Sequence, residues 1–256
     1  MSQKPIHLLQ RRLDVLPHLR RVSCLRVKRT ILALRRAKRD VHVQMLDFAR
    51  PGLHTFVATV IESAMANKPQ IILASASPRR EQLLRDMGLH FIVVRPEGVE
   101  EELSGAAPDV LAIQNAQRKA RAVAGRHPES MVIGADTIVV LDGRIFGKPR
   151  DPVEAERMLE QLVGRPHEVI TGVCLLHRAL DAELTFSDTT RVWMRSLERT
   201  QIREYLGKID PLDKAGAYAI QEHGAGIVER IEGSYSNVVG LPIERLRATL
   251  ERLGMF

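Results

Sequence analysis

From residue 69 onward, short apolar runs alternate with amphipathic stretches, which predicts strands and helices in turn. "QIILAS" reads as a strand over 70–75, and "PRREQLLRDM" as a helix over 78–87 that Gly88 closes. A strand over 90–95 follows, then the acidic loop "PEGVEEELSG". The spacing of Val110, Ile113, Ala116, Ala120 and Val123 predicts a helix over 108–124 with those residues on its apolar side. "SMVIGADTIVVLDGRIFGKP" reads as a strand pair turning at Asp142-Gly143. "DPVEAERMLEQLVG" carries full helix punctuation: Asp151 as N-cap, Pro152 at the first position, Glu154 closing a capping box and Gly164 as stop. "HEVITGVCLLHR" and "ELTFSDTTRVWMR" are strands, "SLERTQIREYLGK" a helix capped by Ser196, and Pro242 opens a last helix. "GAYAIQEHGAGIVERIEGSYSNVVG" reads as loop and strand punctuated by glycines. The alternation predicts an α/β domain with a mixed sheet.

Residues 1–64 break that rhythm. They hold 13 of the 38 Lys and Arg residues but only 4 of the 31 Asp and Glu, so the remaining chain is left with 25 and 27. The net charge of +7 therefore belongs to the leader, and the body is close to neutral. The leader reads as sequence upstream of a true start at Met65, as an Arg-rich targeting segment, or as a basic arm for nucleic acid or anionic membrane. The first is the expectation, which divides the chain into an extension over 1–64 and a folded unit over 65–256.

Composition narrows the rest. With 45% hydrophobic residues, a 256-residue chain can bury a large core. Aromatics at 4% argue against a stacking platform for single-stranded nucleic acid, so nucleic acid is expected only as a non-specific partner of the extension. Two cysteines, Cys24 and Cys174, build neither a disulfide framework nor a zinc site and fit a reducing cytoplasm. No apolar run reaches the length of about 20 residues that spans a bilayer, and no P-loop, GxGxxG or HExxH motif is present.

Chemistry concentrates in a few places. In "ASASPRR", Ser77 stands as N-cap and Pro78 at the first helical position, so the free N–H groups of the first turn face any incoming anion. Ser75 adds a hydroxyl, and Arg79 and Arg80 add forked donors for phosphate oxygens. In "VIGADTIVV" an aspartate interrupts an apolar strand, which is unfavourable unless something pairs with it. Asp136 suits a metal ligand or a general base, and Gly134 and Ala135 before it leave room for a ligand. Glu100, Glu101 and Glu102 read by themselves are a solvated acidic loop; one of them turned inward would share a Mg2+ ion with Asp136. Lys148 follows the Asp136 hairpin and is a cationic candidate for a triphosphate. Lys119 read by itself is a helix-surface residue. Gln221 in "DKAGAYAIQ" either reads the polar edge of a base or is a buried amide that satisfies backbone.

Taken together, "ASASPRREQLL", "VEE", "QRKA", "IGADTIVVLDG", "GKPRD", "HEVITGV", "DKAGAYAIQ" and "EGSYSNVVGLPI" resemble the Maf family of nucleoside triphosphate pyrophosphatases over about 69–253. The second arginine of "SPRR", the threonine of "GADT" and the glutamine of "AIQ" resemble its dTTP/UTP-hydrolysing branch. The resemblance implies an elongated α/β fold like that of inosine triphosphatase, with the nucleotide in a cleft between two lobes. It implies Ser75, Arg79 and Arg80 in the nucleotide-binding turn, and Glu101, Lys119, Asp136 and Lys148 as the catalytic cluster, with Glu100 an alternative to Glu101. Arg80, Thr137 and Gln221 correspond to the selectivity positions. It further implies Mg2+ or Mn2+ as cofactor, a homodimer, and release of pyrophosphate by water attack at the α-phosphorus. A non-catalytic nucleotide-binding regulator of cell division is the alternative.

Overall fold

The computed structural model describes residues 68–103 and 105–256; the basic extension and the expectation of a start at Met65 lie outside them. The strands are β1 (Ile71–Ala74), β2 (Phe91–Val94), β3 (Met131–Leu141), β4 (Arg144–Phe146), β5 (Pro166–His177), β6 (Ala182–Met194) and β7 (Val228–Glu232). The helices are α1 (Pro78–Asp86), α2 (Pro108–Ala124), α3 (Pro152–Leu162), α4 (Arg199–Leu206), α5 (Tyr235–Val239) and α6 (Ile243–Arg252). One mixed sheet runs in the order β2-β1-β3-β5-β6-β7, with β4 also beside β3. β1 is parallel to β2 and β3, and the other pairs are antiparallel.

Helices cover both faces. Leu84 of α1 and Leu246 and Leu250 of α6 pack on the side of Leu73, Ile133 and Val173. Ala116, Ala120 and Val123 of α2 pack on the opposite side, with Ile72 and Val132. Further along β3, Val139 and Leu141 meet Ala155 and Leu159 of α3 and Ile202 of α4. The turn at Asp142-Gly143 has φ of 50° and 77°, and positive φ at both positions is the requirement of the tight hairpin turn expected there.

The sheet has one gap. Pairing of β1 with β3 ends at Ala74↔Gly134, and pairing of β4 with β3 begins at Phe146↔Val139. Between them residues 135–138 have no strand partner on that edge among the described residues, while β5 runs unbroken along the other. The gap opens beside the carboxyl end of β1, where parallel strands usually present a ligand site.

Glycines let α2 approach the sheet at the gap. A Cβ on Gly134 would lie 2.3 Å from the Ala116 carbonyl oxygen, and one on Gly172 would lie 2.3 Å from the Ala112 carbonyl carbon. Gly134 thus makes way for the helix rather than for a ligand, which corrects the sequence reading. Gly134→Ala is expected to destabilise the fold by about 1–3 kcal/mol through overpacking, read as a lower midpoint in urea unfolding.

Three further expectations shift. The buried stripe of α2 is Leu111, Ala112, Asn115, Ala116, Lys119, Ala120, Val123 and Ala124, whereas Val110 is exposed and Ile113 half-buried. The cap of α4 is Glu198 and not Ser196, because the Arg195 N–H and C=O are still paired with Ile227 and Gly164 and hold the chain extended. At α3, the Asp151 side chain caps Glu154 as expected, but the Glu154 carboxylate accepts from the Arg150 N–H one residue earlier.

Candidate active site

β3 places Asp136 and Thr137 in the gap on opposite faces. Asp136 faces α2 and is 2% exposed. Its Oδ1 accepts from Lys119 Nζ at 2.6 Å and its Oδ2 from Asn115 Nδ2 at 3.0 Å. Lys119 is 8% exposed, so the surface reading of this lysine is overturned. It reaches Asp136 because Gly134 and Gly172 bring α2 down onto the strands.

The acidic loop turns one carboxylate inward. Glu101 Oε1 lies 2.7 Å from Lys119 Nζ and 3.6 Å from Lys148 Nζ. Glu100 is exposed, and Glu102 turns outward to Arg118 at 2.5 Å. Burial pushes the Glu101 carboxyl up, but the Lys119 charge and hydrogen bond, then Lys148 and Arg80, outweigh it and hold the pKa at about 2. The folded value lies below the unfolded one. Its stabilisation is therefore complete above about pH 4.5 and is lost as pH falls towards 2. Glu101→Gln is expected to flatten the pH dependence of stability in that window, measured by urea midpoints at successive pH values.

The turn before α1 closes one side. Ser77 occupies the N-cap position, yet its hydroxyl makes no capping bond, and its N–H donates to Ser75 Oγ at 3.1 Å. Arg80 donates from Nε to the Gly240 carbonyl at 2.8 Å and from Nη2 to Thr137 Oγ1 at 3.0 Å. Burial lowers its pKa, with Asp136 and Glu101 opposing and Arg79 adding to the fall. Thr137 Oγ1 also meets Thr171 Oγ1 at 2.9 Å, so much of its hydrogen-bonding capacity is used within the protein. Arg79 is not a free phosphate donor in this state. Its Nη1 pairs with Asp213 Oδ2 at 2.7 Å and its Nη2 donates to the Asp213 carbonyl at 3.2 Å.

The far wall is the segment "DKAGAYAIQ". Lys214 is buried and bonds the Asp210 carbonyl and Asp213 Oδ1, both at 2.7 Å. Tyr205 fixes Ala219 twice: its hydroxyl donates to the carbonyl at 3.1 Å and accepts from the N–H at 3.0 Å. Tyr218 Oη meets His167 Nε2 at 2.7 Å, and burial lowers the histidine pKa to about 4, which keeps it neutral near pH 7. Gln221 is exposed, lines the cleft and makes no side-chain hydrogen bond among the described residues, so it is not the buried amide of the alternative reading.

These elements enclose a cleft of about 320 Å³. Ser75, Ser77, Arg79, Arg80, Glu101, Lys119, Asp136, Thr137, Lys148 and Gln221 all line it, alongside apolar Val139, Val169 and Tyr218. Asp213, Lys214 and Asn115 were not singled out from sequence. Asn115 had a signal: an amide one helical turn before Lys119, inside an otherwise apolar stripe.

One face of this cleft offers donors to a polyanion, and its floor carries paired carboxylates. The family described as Maf-like protein matches residues 70–253. The chain belongs to that family. Among curated proteins, the dTTP/UTP pyrophosphatase of Symbiobacterium thermophilum is 48% identical over 185 residues, covering 72% of this chain and 94% of that protein. The dTTP/UTP pyrophosphatase of Geotalea uraniireducens is 48% identical over 190 residues, covering 74% of this chain and 98% of that protein. The solved structure of the Staphylococcus aureus Ham1 protein aligns at a TM-score of 0.42 with 16% identity, covering 71% of this chain and 98% of that one. No helix among the described residues is long and apolar enough to cross a membrane.

The donor set bears on a metal. Among the described residues no group of three or more His, Cys, Asp or Glu could hold an ion by itself. Asp136 and Glu101 are hard oxygen donors joined through one lysine. Two carboxylates with substrate phosphates completing the shell is the usual arrangement for Mg2+, so the residues fit an ion that arrives with a triphosphate.

Proposed function

We propose that the chain hydrolyses pyrimidine nucleoside triphosphates, dTTP and UTP, to the monophosphate and pyrophosphate. The observation that carries the reading is the convergence of Asp136, Lys119, Glu101 and Lys148 with the opening turn of α1 in one cleft. Kinship at 48% identity with proteins named dTTP/UTP pyrophosphatase supports it.

In this reading the α1 turn with Ser75, Ser77 and Arg80, together with Lys148, binds the triphosphate. Asp136 orients a water and takes its proton as the oxygen bonds to the α-phosphorus. The bond from that phosphorus to the oxygen bridging to the β-phosphorus breaks, and pyrophosphate leaves. Lys119 holds both carboxylates in place. Asp136 and Glu101 would hold a Mg2+ or Mn2+ ion, which would supply positive charge against the charge that builds on the leaving group. Gln221, whose amide is not engaged by the described residues, meets the polar edge of the pyrimidine, and a base that leaves it unpaired is disfavoured. Thr137 acts through Arg80, whose guanidinium it fixes. A cytoplasmic homodimer is part of the same reading and comes from the family resemblance.

The test is pyrophosphate release from dTTP, UTP, CTP, ATP and GTP with Mg2+ or Mn2+, run in 18O-water. The expected result is turnover of dTTP and UTP, with the label in the nucleoside monophosphate. Label in the pyrophosphate would move the attack to the β-phosphorus, and binding without turnover would favour the regulator.

A further inference from the structure

We infer that Asn115 is a positioning residue that sets the spacing between the acidic loop and Asp136; this rests on the hydrolytic reading of the same site. Asn115 is fully buried on the face of α2 that meets the sheet. Its Oδ1 accepts from the Glu102 N–H at 3.0 Å, and its Nδ2 donates to the Glu102 carbonyl at 2.8 Å and to Asp136 Oδ2 at 3.0 Å. Arg118 Nη1 adds a longer bond to Oδ1 at 3.4 Å.

The chemistry fixes the orientation of the amide. The Glu102 N–H can only face the oxygen and the Glu102 carbonyl can only face the nitrogen, so one Nδ2 proton is left for Asp136. One side chain therefore clamps the backbone next to Glu101 and also holds the second oxygen of Asp136. With all its donors engaged by the protein, Asn115 has none for substrate, so it acts through the two carboxylates. Elsewhere the loop is held by longer side chains: Glu101 on Lys119, Glu102 on Arg118, and Leu103, which occupies the space a Cβ on Gly147 would need, at 2.7 Å. Only the Asn115 bonds among these grip backbone, so they set the register of the loop against α2.

A leucine here would extend an apolar stripe at similar volume, but it leaves the Glu102 N–H, the Glu102 carbonyl and Asp136 Oδ2 without this partner, so a lower urea midpoint is expected beside the kinetic change. Asn115→Leu is expected to lower kcat for dTTP by about 10–100-fold, the usual loss when a residue orienting catalytic or metal-binding groups is removed, with KM for the nucleotide unchanged. Hydrogen exchange across 96–107, followed without nucleotide or metal, is expected to speed up. Asn115→Ala is the second variant should leucine not pack. A folded variant with unchanged kcat overturns the inference, as does a rise in KM alone or a loss of kcat with unaltered exchange. If the native protein hydrolyses no triphosphate but exchange still quickens in the variant, the clamp stands and the hydrolytic reading falls.

Discussion

Asp136→Asn is expected to lower kcat by about 10²–10⁴-fold, the range for removing a general base, while the protein stays folded. The substitution is nearly isosteric, but the environment distinguishes the two side chains. Both carboxylate oxygens face donors, Lys119 Nζ at 2.6 Å and Asn115 Nδ2 at 3.0 Å. An amide satisfies only one of them, and turned either way it sets N–H against a donor. That leaves one buried donor unpaired, a loss of about 1–3 kcal/mol. A thermal melt should therefore show a moderate drop, and a pyrophosphate-release assay a far larger one. The two readouts separate a chemical role from a structural one, since a residue that served only to satisfy Lys119 would move the melt and spare the turnover of the folded fraction. Wild-type turnover by the Asp136→Asn protein would falsify the assignment of the base.

Much of this arrangement was legible in the chain because local signals agreed with the global fold. The helix over 108–124 has the bounds its pattern predicts, and the hairpin forms at Asp142-Gly143. What failed to show was which side of α2 faces the sheet. Asn115 and Lys119 belong to the buried stripe, and two polar residues there shift the apparent apolar side towards Val110 and Ile113. Their burial is bearable only because Glu101, Asp136 and the Glu102 backbone meet them, and those partners lie on other elements. The same holds for Gly134, where an added Cβ would meet a helix 14 or more residues away in sequence. α5 was missed because five residues of "YSNVV" are too short for a helical period, and it is fixed by Ser234 capping Asn237. The competition for Arg79 was equally hidden, because Asp213 lies 134 positions along the chain. For α2, Gly134 and Arg79 a long-range contact decided the outcome, and for α5 a local cap did.

Lys119→Met tests that long-range pairing most severely. The ammonium is the cation shared by Asp136 and Glu101, at 2.6 and 2.7 Å, and it is 8% exposed. Methionine keeps the length and the packing of the stem but leaves two carboxylates facing each other. Removing one partner of a buried ion pair typically destabilises by about 3–5 kcal/mol, and for a domain of this size that is a fall of roughly 6–20 °C in melting temperature. Lys148 at 3.6 Å and Arg80 still act on Glu101, which places the expected loss towards the lower end. The deficit should shrink with acid. In the native protein the depressed Glu101 pKa contributes stability that disappears as pH falls from about 4.5 towards 2, whereas without Lys119 burial raises that pKa and the carboxyl protonates earlier. On the proposed reading, Mn2+ should act in the same direction at neutral pH, because a divalent cation held by the two carboxylates would restore the charge balance that methionine removes. The variant should thus gain more melting temperature from Mn2+ than the native protein does, even though its turnover is lost. A smaller gain in the variant would mean that the ion is not held between Asp136 and Glu101, and the metal would have to be placed on the phosphates alone.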